Sequence, residues 1–152
     1  MINHSHLRSL VTIGRKLTVG SGRARGRYKR NKKMKKTLIL GASTNPSRYS
    51  NKAANMLHKH GHDIVNIGLS GGEAAGVPVE KKGEIYTDID TVTMYLGEPN
   101  QKEYYDYILA TKPKRIIFNP GAENAELEQL AMEHGIKTER ACTLVLLSTG
   151  QF

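Results

Sequence analysis

The sequence predicts an α/β protein built on a doubly wound parallel sheet of about five strands, with helices on both faces. Short apolar runs alternate with helix-like segments about five times after residue 36. The runs are apolar at consecutive positions, as in strands that are buried on both faces of a sheet. Each connection is long enough for a helix, and such crossovers between parallel strands are right-handed.

The first βαβ unit is the clearest part of this pattern. Residues 37–40 form an apolar run that ends at Gly41, which predicts a buried first strand. Ser50 is a suitable N-cap, and apolar residues recur at helical spacing until Gly61, so we expect a helix over residues 50–60. Residues 64–67, which are apolar except for Asn66, predict the second strand.

The middle of the chain is more broken. Residues 68–83 contain four of the strongest turn formers and predict a long surface loop without regular structure. Residues 85–86 are suited to a brief edge segment, and residues 91–96 alternate as a strand would. The four turn formers are Gly71, Gly72, Gly76 and Pro78.

The last third completes the alternation. Pro99 is predicted to open a helix that carries several tyrosines, and residues 115–118 predict the next strand. A third helix around Leu127 ends at Gly135, and residues 136–141 predict the last strand, followed by a helical turn through Leu147.

Composition indicates one soluble domain. The chain has 152 residues, of which 38% are hydrophobic, enough for a single core. No apolar run approaches the roughly 20 residues that a membrane span needs. Cys142 is the single cysteine, which excludes an internal disulfide and favours a reducing compartment such as the cytoplasm.

Charge divides the chain in two. Residues 1–36 hold 12 of the 23 basic residues and none of the 14 acidic ones, so residues 37–152 carry a net charge of −3. We therefore predict a basic, disordered arm over residues 1–36 and a folded domain over residues 37–152. The arm has three interpretations: an organelle transit peptide, a tail that binds RNA, DNA or an acidic surface, or a product of upstream start assignment with Met34 as the natural start.

The loop after the first strand carries the clearest chemistry. Gly41 allows close approach of the backbone, several short polar side chains can donate hydrogen bonds, and Arg48 supplies a guanidinium just before a helix N-terminus. These features predict an anion site. The loop lacks the Gly-Lys-Ser/Thr of a Walker motif and the glycine spacing of the dinucleotide fingerprint, which disfavours ordinary NAD binding. The alternative is that a polar loop with Gly and Pro is only a turn.

Three segments are distinctive when taken together. The first is Leu40-Gly41-Ala42-Ser43 with Pro46, Arg48, Ser50 and the helix that follows. The others are Asp90-Thr91-Val92-Thr93-Met94-Tyr95, and Phe118-Asn119-Pro120-Gly121-Ala122-Glu123-Asn124 with the later Cys142. In their order and spacing these segments resemble the small bacterial CoA-binding domain proteins, over about residues 36–152.

The resemblance implies a Rossmann-like fold, as in the CoA-binding domain of succinyl-CoA ligases, and coenzyme A or an acyl-CoA as cofactor. It places Gly41, Ser43 and Arg48 near phosphate. Many relatives have an Asn-Pro-Arg-like turn after the second strand, where this chain has Gly68-Leu69 and lacks that cation. The full candidate site is Gly41, Ala42, Ser43, Asn45, Arg48, Ser50, Ile67, Gly68, Tyr95, Asn119, Pro120 and Gly121.

Other residue clusters have structural interpretations. His58, His60 and His62 are spaced by two, which does not place them on one helical face, so we expect no metal site. The acidic residues that open the third helix complement its dipole. Cys142 follows a strand end and is either near the ligand or a small buried hydrophobe. The acidic residues of the third helix are Glu123, Glu126 and Glu128. Among the tyrosines Tyr104, Tyr105 and Tyr107, we expect some to pack in the core and one to be exposed.

Three functions follow from these observations, in decreasing order of support. The first is a non-catalytic or regulatory CoA-binding protein, alone, as a homo-oligomer or with a protein partner. The second is an enzyme that acts on a CoA thioester, or another Rossmann protein that binds NAD(P) or a nucleotide. The third is an RNA-associated protein that acts through the basic arm.

Overall fold

The computed structural model describes residues 33–69 and 71–152, so the interpretations of the basic arm through residue 32 lie outside the described residues. A seven-stranded sheet with helices on both faces forms the fold. Two 3-10 turns, Glu98–Asn100 and Lys102–Tyr104, precede the second helix. The strands and helices, in chain order, are β1 (Thr37–Ala42), α1 (Tyr49–Lys59), β2 (Ile64–Gly68), β3 (Glu73–Ala74), β4 (Val77–Glu80), β5 (Thr91–Met94), α2 (Tyr105–Thr111), β6 (Arg115–Phe118), α3 (Ala125–Glu133), β7 (Lys137–Arg140) and α4 (Thr143–Ser148).

The strand order is β3-β4-β2-β1-β5-β6-β7, and every neighbouring pair is parallel except β3 with β4. The predicted Rossmann-like, doubly wound parallel sheet is therefore confirmed. The chain builds outward from β1 in one direction through β2 and β4, then crosses back to β5 and builds in the other direction. The order reverses between β1 and β5, where ligands bind in open α/β sheets.

The two additional strands lie in the segment that we predicted to be a loop over residues 68–83, so that prediction was wrong. β3 and β4 form a tight hairpin, and both residues at its turn, Ala75 and Gly76, have positive φ. The buried side chain of Asn66 in β2 holds the hairpin, since its Nδ2 donates to the main-chain oxygens of Ala74 at 3.0 Å and Val77 at 3.1 Å. A side-chain contact between a strand and a hairpin 8 to 11 residues further along leaves no periodicity in the sequence.

Three local predictions also need correction. Arg48, and not Ser50, is the N-cap of α1, and Ser50 is buried in the first turn. The helix predicted to open at Pro99 starts as the two 3-10 turns and becomes α-helical only at Tyr105. Residues 85–86 form no strand.

Two apolar cores flank the sheet, one on each face. α1 and α4 cover one face, where Leu57 and Leu147 pack around Ile39 of the central strand. α2 and α3 cover the other face, where Ile108 and Leu127 pack with the strand side chains. The result is a three-layer domain whose strand interiors are almost completely buried. Within the part of the chain that the structure describes, no helix is both long and apolar enough to cross a membrane.

Candidate functional site

The loops that follow β1 and β5 meet at the switch point of the sheet. Gly41 has a φ of +96°, and a Cβ there would lie 3.1 Å from the backbone nitrogen of Leu96. The main chain continues the β1–β5 pairing at this point, since the Tyr95 amide donates to the Leu40 oxygen at 2.9 Å. Glycine at position 41 therefore lets the two loops approach each other closely.

The loop from Ser43 to Arg48 is shaped by its own side chains. The Asn45 amide donates to Ser43 Oγ at 3.0 Å, and Asn45 Oδ1 accepts from the amide and hydroxyl of Ser47 at 2.9 and 2.8 Å. Asn51 of α1 holds the start of the loop, because its Nδ2 donates to the Ser43 oxygen at 2.8 Å. Asn45 thus stabilises the loop conformation. The Arg48 side chain, at the end of the loop, takes no part in these hydrogen bonds.

Arg48 stands at the junction of this loop and α1. Its amide donates to the Asn45 oxygen at 3.0 Å, and its own oxygen starts the hydrogen-bond ladder of the helix. The guanidinium is exposed and has no hydrogen bond or ion pair with any residue that the structure describes. No side-chain hydrogen bond caps α1 either, so the helix N-terminus can donate main-chain N–H groups to an anion.

β2 approaches the same loop through Gly68. A Cβ on Gly68 would lie only 2.3 Å from the carbonyl oxygen of Ala42, so no other residue fits without a backbone shift. Leu69 follows with 78% of its surface exposed. The chain therefore presents an apolar side chain at the position where the resemblance leads one to expect a cation.

A cavity of about 690 Å³ lies over the switch point, which is within the range of small-molecule sites. Arg48 is the one charged side chain among the described residues that line it. The cavity is named here the main groove. Its lining residues are Gly41, Ala42, Ser43, Ser47, Arg48, Tyr49, Ser50, Gly68, Leu69, Tyr95, Leu96, Gly97, Asn100, Tyr104 and Pro120.

Most of the predicted site residues line the main groove, but four do not. Ile67 is only 1% exposed within the core, and Asn45 is exposed and bonds within its own loop. The Gly121 amide is occupied by the Glu123 carboxylate at 3.0 Å. Asn119 lines a second, adjoining cavity.

About half of the residues that line the main groove were not predicted from the sequence. Leu96 and Gly97 follow the end of β5, and the switch-point rule identifies them once the strand order is known. Tyr104 lies in a 3-10 turn whose position no local pattern indicates. The residues missed in the main groove are Ser47, Tyr49, Leu69, Leu96, Gly97, Asn100 and Tyr104.

The second cavity, of about 280 Å³, is named here the side pocket. It is lined by Tyr49, Tyr95, Asn119, Pro120, Cys142 and Leu144, with no charged residue among them. Three of these, Tyr49, Tyr95 and Pro120, also line the main groove, so the two cavities adjoin. Cys142 is half-buried and lines this pocket at the carboxyl edge of the sheet.

Asn119 fixes the wall of the side pocket to the sheet. Its Nδ2 donates to Thr93 Oγ1 at 2.8 Å and to the Met94 oxygen at 2.9 Å, while its Oδ1 accepts from the Thr143 amide at 2.8 Å. The hydroxyls of Thr93 and Thr143 share a hydrogen bond of 2.7 Å. Because both ends of the amide are occupied, Asn119 positions the start of α4 and with it Cys142.

Tyr95 carries an unusual hydroxyl. The oxygen is buried and has no hydrogen-bond partner within the described structure. Burial, with a smaller contribution from Cys142, raises the pKa of Tyr95 to about 12. The hydroxyls of Thr143 and Thr93 lie near enough to oppose this rise of the pKa, but they bond to each other and not to Tyr95.

A buried amide pair supports the opposite wall of the main groove. Gln101 Nε2 donates to the main-chain oxygens of Leu96 and Ala122, both at 2.8 Å, and so links the loops after β5 and β6. Asn124 Nδ2 donates to Gln101 Oε1 at 2.9 Å, while Asn124 Oδ1 caps α3. The loops that border the groove are therefore held by satisfied hydrogen bonds within the protein.

The remaining candidate clusters are occupied by structural contacts. Three acidic residues at α3 bond to Gly121, Tyr105 and Arg140. The expectation of one exposed tyrosine near α2 was wrong, because all three are buried against the sheet. Within the described residues, no three His, Cys, Asp or Glu side chains come together as metal ligands. The acidic residues are Glu123, Glu126 and Glu128, and the tyrosines are Tyr104, Tyr105 and Tyr107.

Comparison with known proteins adds a family and a set of folds. A family model described as a CoA binding domain matches residues 35–148. The crystal structure of an uncharacterized protein is 48% identical and covers 79% of this chain and 99% of its own, with a TM-score of 0.77. No curated protein matches the chain.

Two more distant structures share the fold. A hypothetical protein from Pyrococcus horikoshii OT3 is 23% identical over 82% of this chain and 87% of its own, with a TM-score of 0.70. Cell-free ID.343 from Thermus thermophilus is 19% identical over 86% of this chain and 97% of its own, with a TM-score of 0.68.

Proposed function

The chain belongs to the CoA-binding domain family, and from this premise we propose that it binds coenzyme A in the main groove as a non-catalytic or regulatory protein. The observation that carries the proposal is the Arg48 guanidinium, which is exposed and pairs with no described residue, beside the N-terminus of α1, which no side chain caps. Both groups are donors to anions, and together they suit a phosphate group.

The main groove fits such a cofactor in shape and in charge. Its volume of about 690 Å³ is in the usual range for small-molecule sites. No carboxylate lines it among the described residues, so nothing there repels a phosphate. Gly41 and Gly68 let the neighbouring strand ends come close on both sides of the β1 loop, so these strand ends form the floor of the groove.

The apolar walls suit the uncharged parts of the cofactor. Leu96 and Leu69 and the rings of Tyr95 and Tyr104 surround the polar loop, as in pockets where a few polar groups orient a mostly apolar contact surface. We assign a binding role because the same lining holds no histidine, carboxylate or lysine for proton transfer.

Isothermal titration calorimetry of the full chain against coenzyme A, NAD and ATP tests the proposal. We expect binding of coenzyme A in preference to the other two. Clear binding of NAD without binding of coenzyme A would show that the cofactor assignment is wrong.

The role of Arg48 is tested by substitution. A charge-assisted hydrogen bond to phosphate is worth about 1.5–3 kcal/mol, so Arg48→Ala should weaken coenzyme A binding roughly 10- to 100-fold. Arg48→Lys should recover only part of the loss, because an ammonium lacks the planar two-donor geometry. Lys59→Ala removes a positive charge from the other end of α1, away from both cavities, and should leave the affinity unchanged. Equal affinities for wild type and Arg48→Ala would exclude the phosphate contact.

A further inference from the structure

We propose that the side pocket takes the acyl group of a short-chain acyl-CoA, so that the chain prefers a CoA thioester to free coenzyme A. This inference rests on the proposed function, since the acyl group is placed by the CoA that occupies the main groove. It commits the site to one class of ligand, a thioester whose acyl chain is apolar and uncharged.

The first support is the continuity of the two cavities. Tyr49, Tyr95 and Pro120 form a shared border, so a ligand that fills the main groove can extend into the side pocket without crossing the protein interior. Arg48 lines only the main groove, and Cys142 and Leu144 line only the side pocket. The side pocket offers no cation to a phosphate, so we assign it to the uncharged, thiol-bearing arm of the ligand.

The second support is the chemistry of the side-pocket wall. None of its six residues is charged, and most of the wall is aromatic or aliphatic. The polar residue Asn119 is 2% exposed and uses both ends of its amide within the protein. The hydroxyl of Tyr95 is buried and unpartnered, so the part of Tyr95 open to a ligand is its ring. Such a wall stabilises hydrocarbon by excluding water and offers little to a charged group.

The volume limits the length of the acyl chain. The pocket measures about 280 Å³. A water molecule in the liquid occupies about 30 Å³, and a methylene group is of similar size, so the pocket has room for roughly four to eight carbons once its open side is allowed for. Long fatty acyl chains would have to leave the pocket and return to solvent.

A calorimetric series on the full chain tests the inference. Free, acetyl-, butyryl-, hexanoyl- and palmitoyl-CoA are titrated under identical conditions. Each buried methylene should tighten binding roughly fourfold, so butyryl-CoA should bind about 15-fold more tightly than acetyl-CoA. The gain should stop at or before eight carbons, at the capacity of the pocket. Affinity that is the same for free CoA and every thioester would overturn the inference.

Variants of α4 identify the pocket as the source of the gain. Leu144→Phe adds volume to the wall and should remove most of the preference for butyryl-CoA while leaving free CoA within about twofold. Cys142→Leu fills the pocket from the other side and provides a second test if Leu144→Phe does not fold. Val145→Phe is the matched control, because Val145 is 54% exposed on the same helix and does not line the pocket.

The outcomes separate this inference from the proposed function. Binding of CoA without an acyl gain overturns the acyl pocket and leaves CoA binding in place. An acyl gain that persists undiminished in folded Leu144→Phe and Cys142→Leu also overturns it, since the chain then lies elsewhere. Failure of both CoA and butyryl-CoA to bind contradicts the proposed function, and the acyl pocket with it.

Discussion

Two arginines at opposite ends of the parallel strands have opposite surroundings: the guanidinium of one is bonded within the protein, and that of the other is exposed. At the amino end, Arg115 is largely buried, with 13% of its side chain exposed, and its guanidinium is fully engaged. It donates to Thr91 Oγ1 at 2.8 Å and to the Phe152 main-chain oxygen at 2.8 Å, and it pairs with Glu139 at 3.0 Å. At the carboxyl end, the guanidinium of Arg48 is exposed and bonds to no described residue.

The other contacts near each of the two arginines show the same difference. Near Arg115, the Phe152 ring lies 4.6 Å from the guanidinium carbon and 5.1 Å from the His62 ring, and Lys36 pairs with Asp88 at 3.2 Å. Around Arg48, the polar groups of the neighbouring loops bond to one another, and none of them bonds to the guanidinium. The charges near Arg115 therefore have partners within the fold, whereas Arg48 has none among the described residues and is available to a ligand. Arg140, also at the carboxyl end, is not available in this way, because it pairs with Glu128 at 2.8 Å.

The largest effect that we expect is a loss of stability in Arg115→Ala. The substitution removes the donor to the Glu139 carboxylate and to Thr91 Oγ1, and one of the two donors to the Phe152 oxygen, which should lower the free energy of unfolding by about 2–4 kcal/mol. Urea denaturation measures the loss, with Arg48→Ala as the matched arginine and an expected change within about 0.5 kcal/mol. Equal stabilities of these two variants would remove the distinction between the ends of the sheet.

A smaller loss of stability is expected in Gly68→Ala, at the carboxyl end of β2, where two strands pack closely. In Gly68→Ala the new methyl would lie 2.3 Å from the Ala42 oxygen, so β1 and β2 must separate, at a cost of about 1–3 kcal/mol. Coenzyme A affinity should fall as well, because Ala42 belongs to the groove. Gly71→Ala is the control: its added methyl meets no atom within 4 Å and should change stability by less than about 0.5 kcal/mol. Similar losses in both variants would show that the close approach of the strands is not what Gly68 provides.

The smallest effect concerns the dependence of stability on alkaline pH. The pKa of Tyr95 is raised from 10.0 to about 12, so the folded protein favours the neutral phenol. That contribution to stability is complete below pH 10 and is lost as the pH rises through about 12. Tyr95→Phe lacks the ionisable group, so its stability relative to wild type should increase between pH 10 and pH 12.

Denaturation at several pH values measures this difference, and Tyr49→Phe serves as the control because Tyr49 is 66% exposed. A constant difference between wild type and Tyr95→Phe across this range would contradict the buried environment of the hydroxyl. That result would show that the Tyr95 hydroxyl is solvated, as the exposed groups of the main groove are.

Much of the fold was predictable because its signals are local. Short apolar runs predicted β1, β2 and β6, and alternation of residue types predicted β5, each to within two residues at each end. A parallel sheet followed from the alternation of these strands with helices. The β3–β4 hairpin was not predictable in this way. Its strands contain only two and four residues, and their stability depends on Asn66 in a strand some distance away along the chain.

The candidate site divides along the same line. The sequence by itself determined that residues 41–48 form a polar, glycine-containing loop between a strand and a helix, because that conclusion depends only on neighbouring residues. Tertiary structure decided that Tyr95, Pro120 and Cys142 border one pocket, since they come from three different strand ends. It also decided which arginine is available, because Arg48 and Arg115 differ in their spatial neighbours, which the identity of the residue does not reveal.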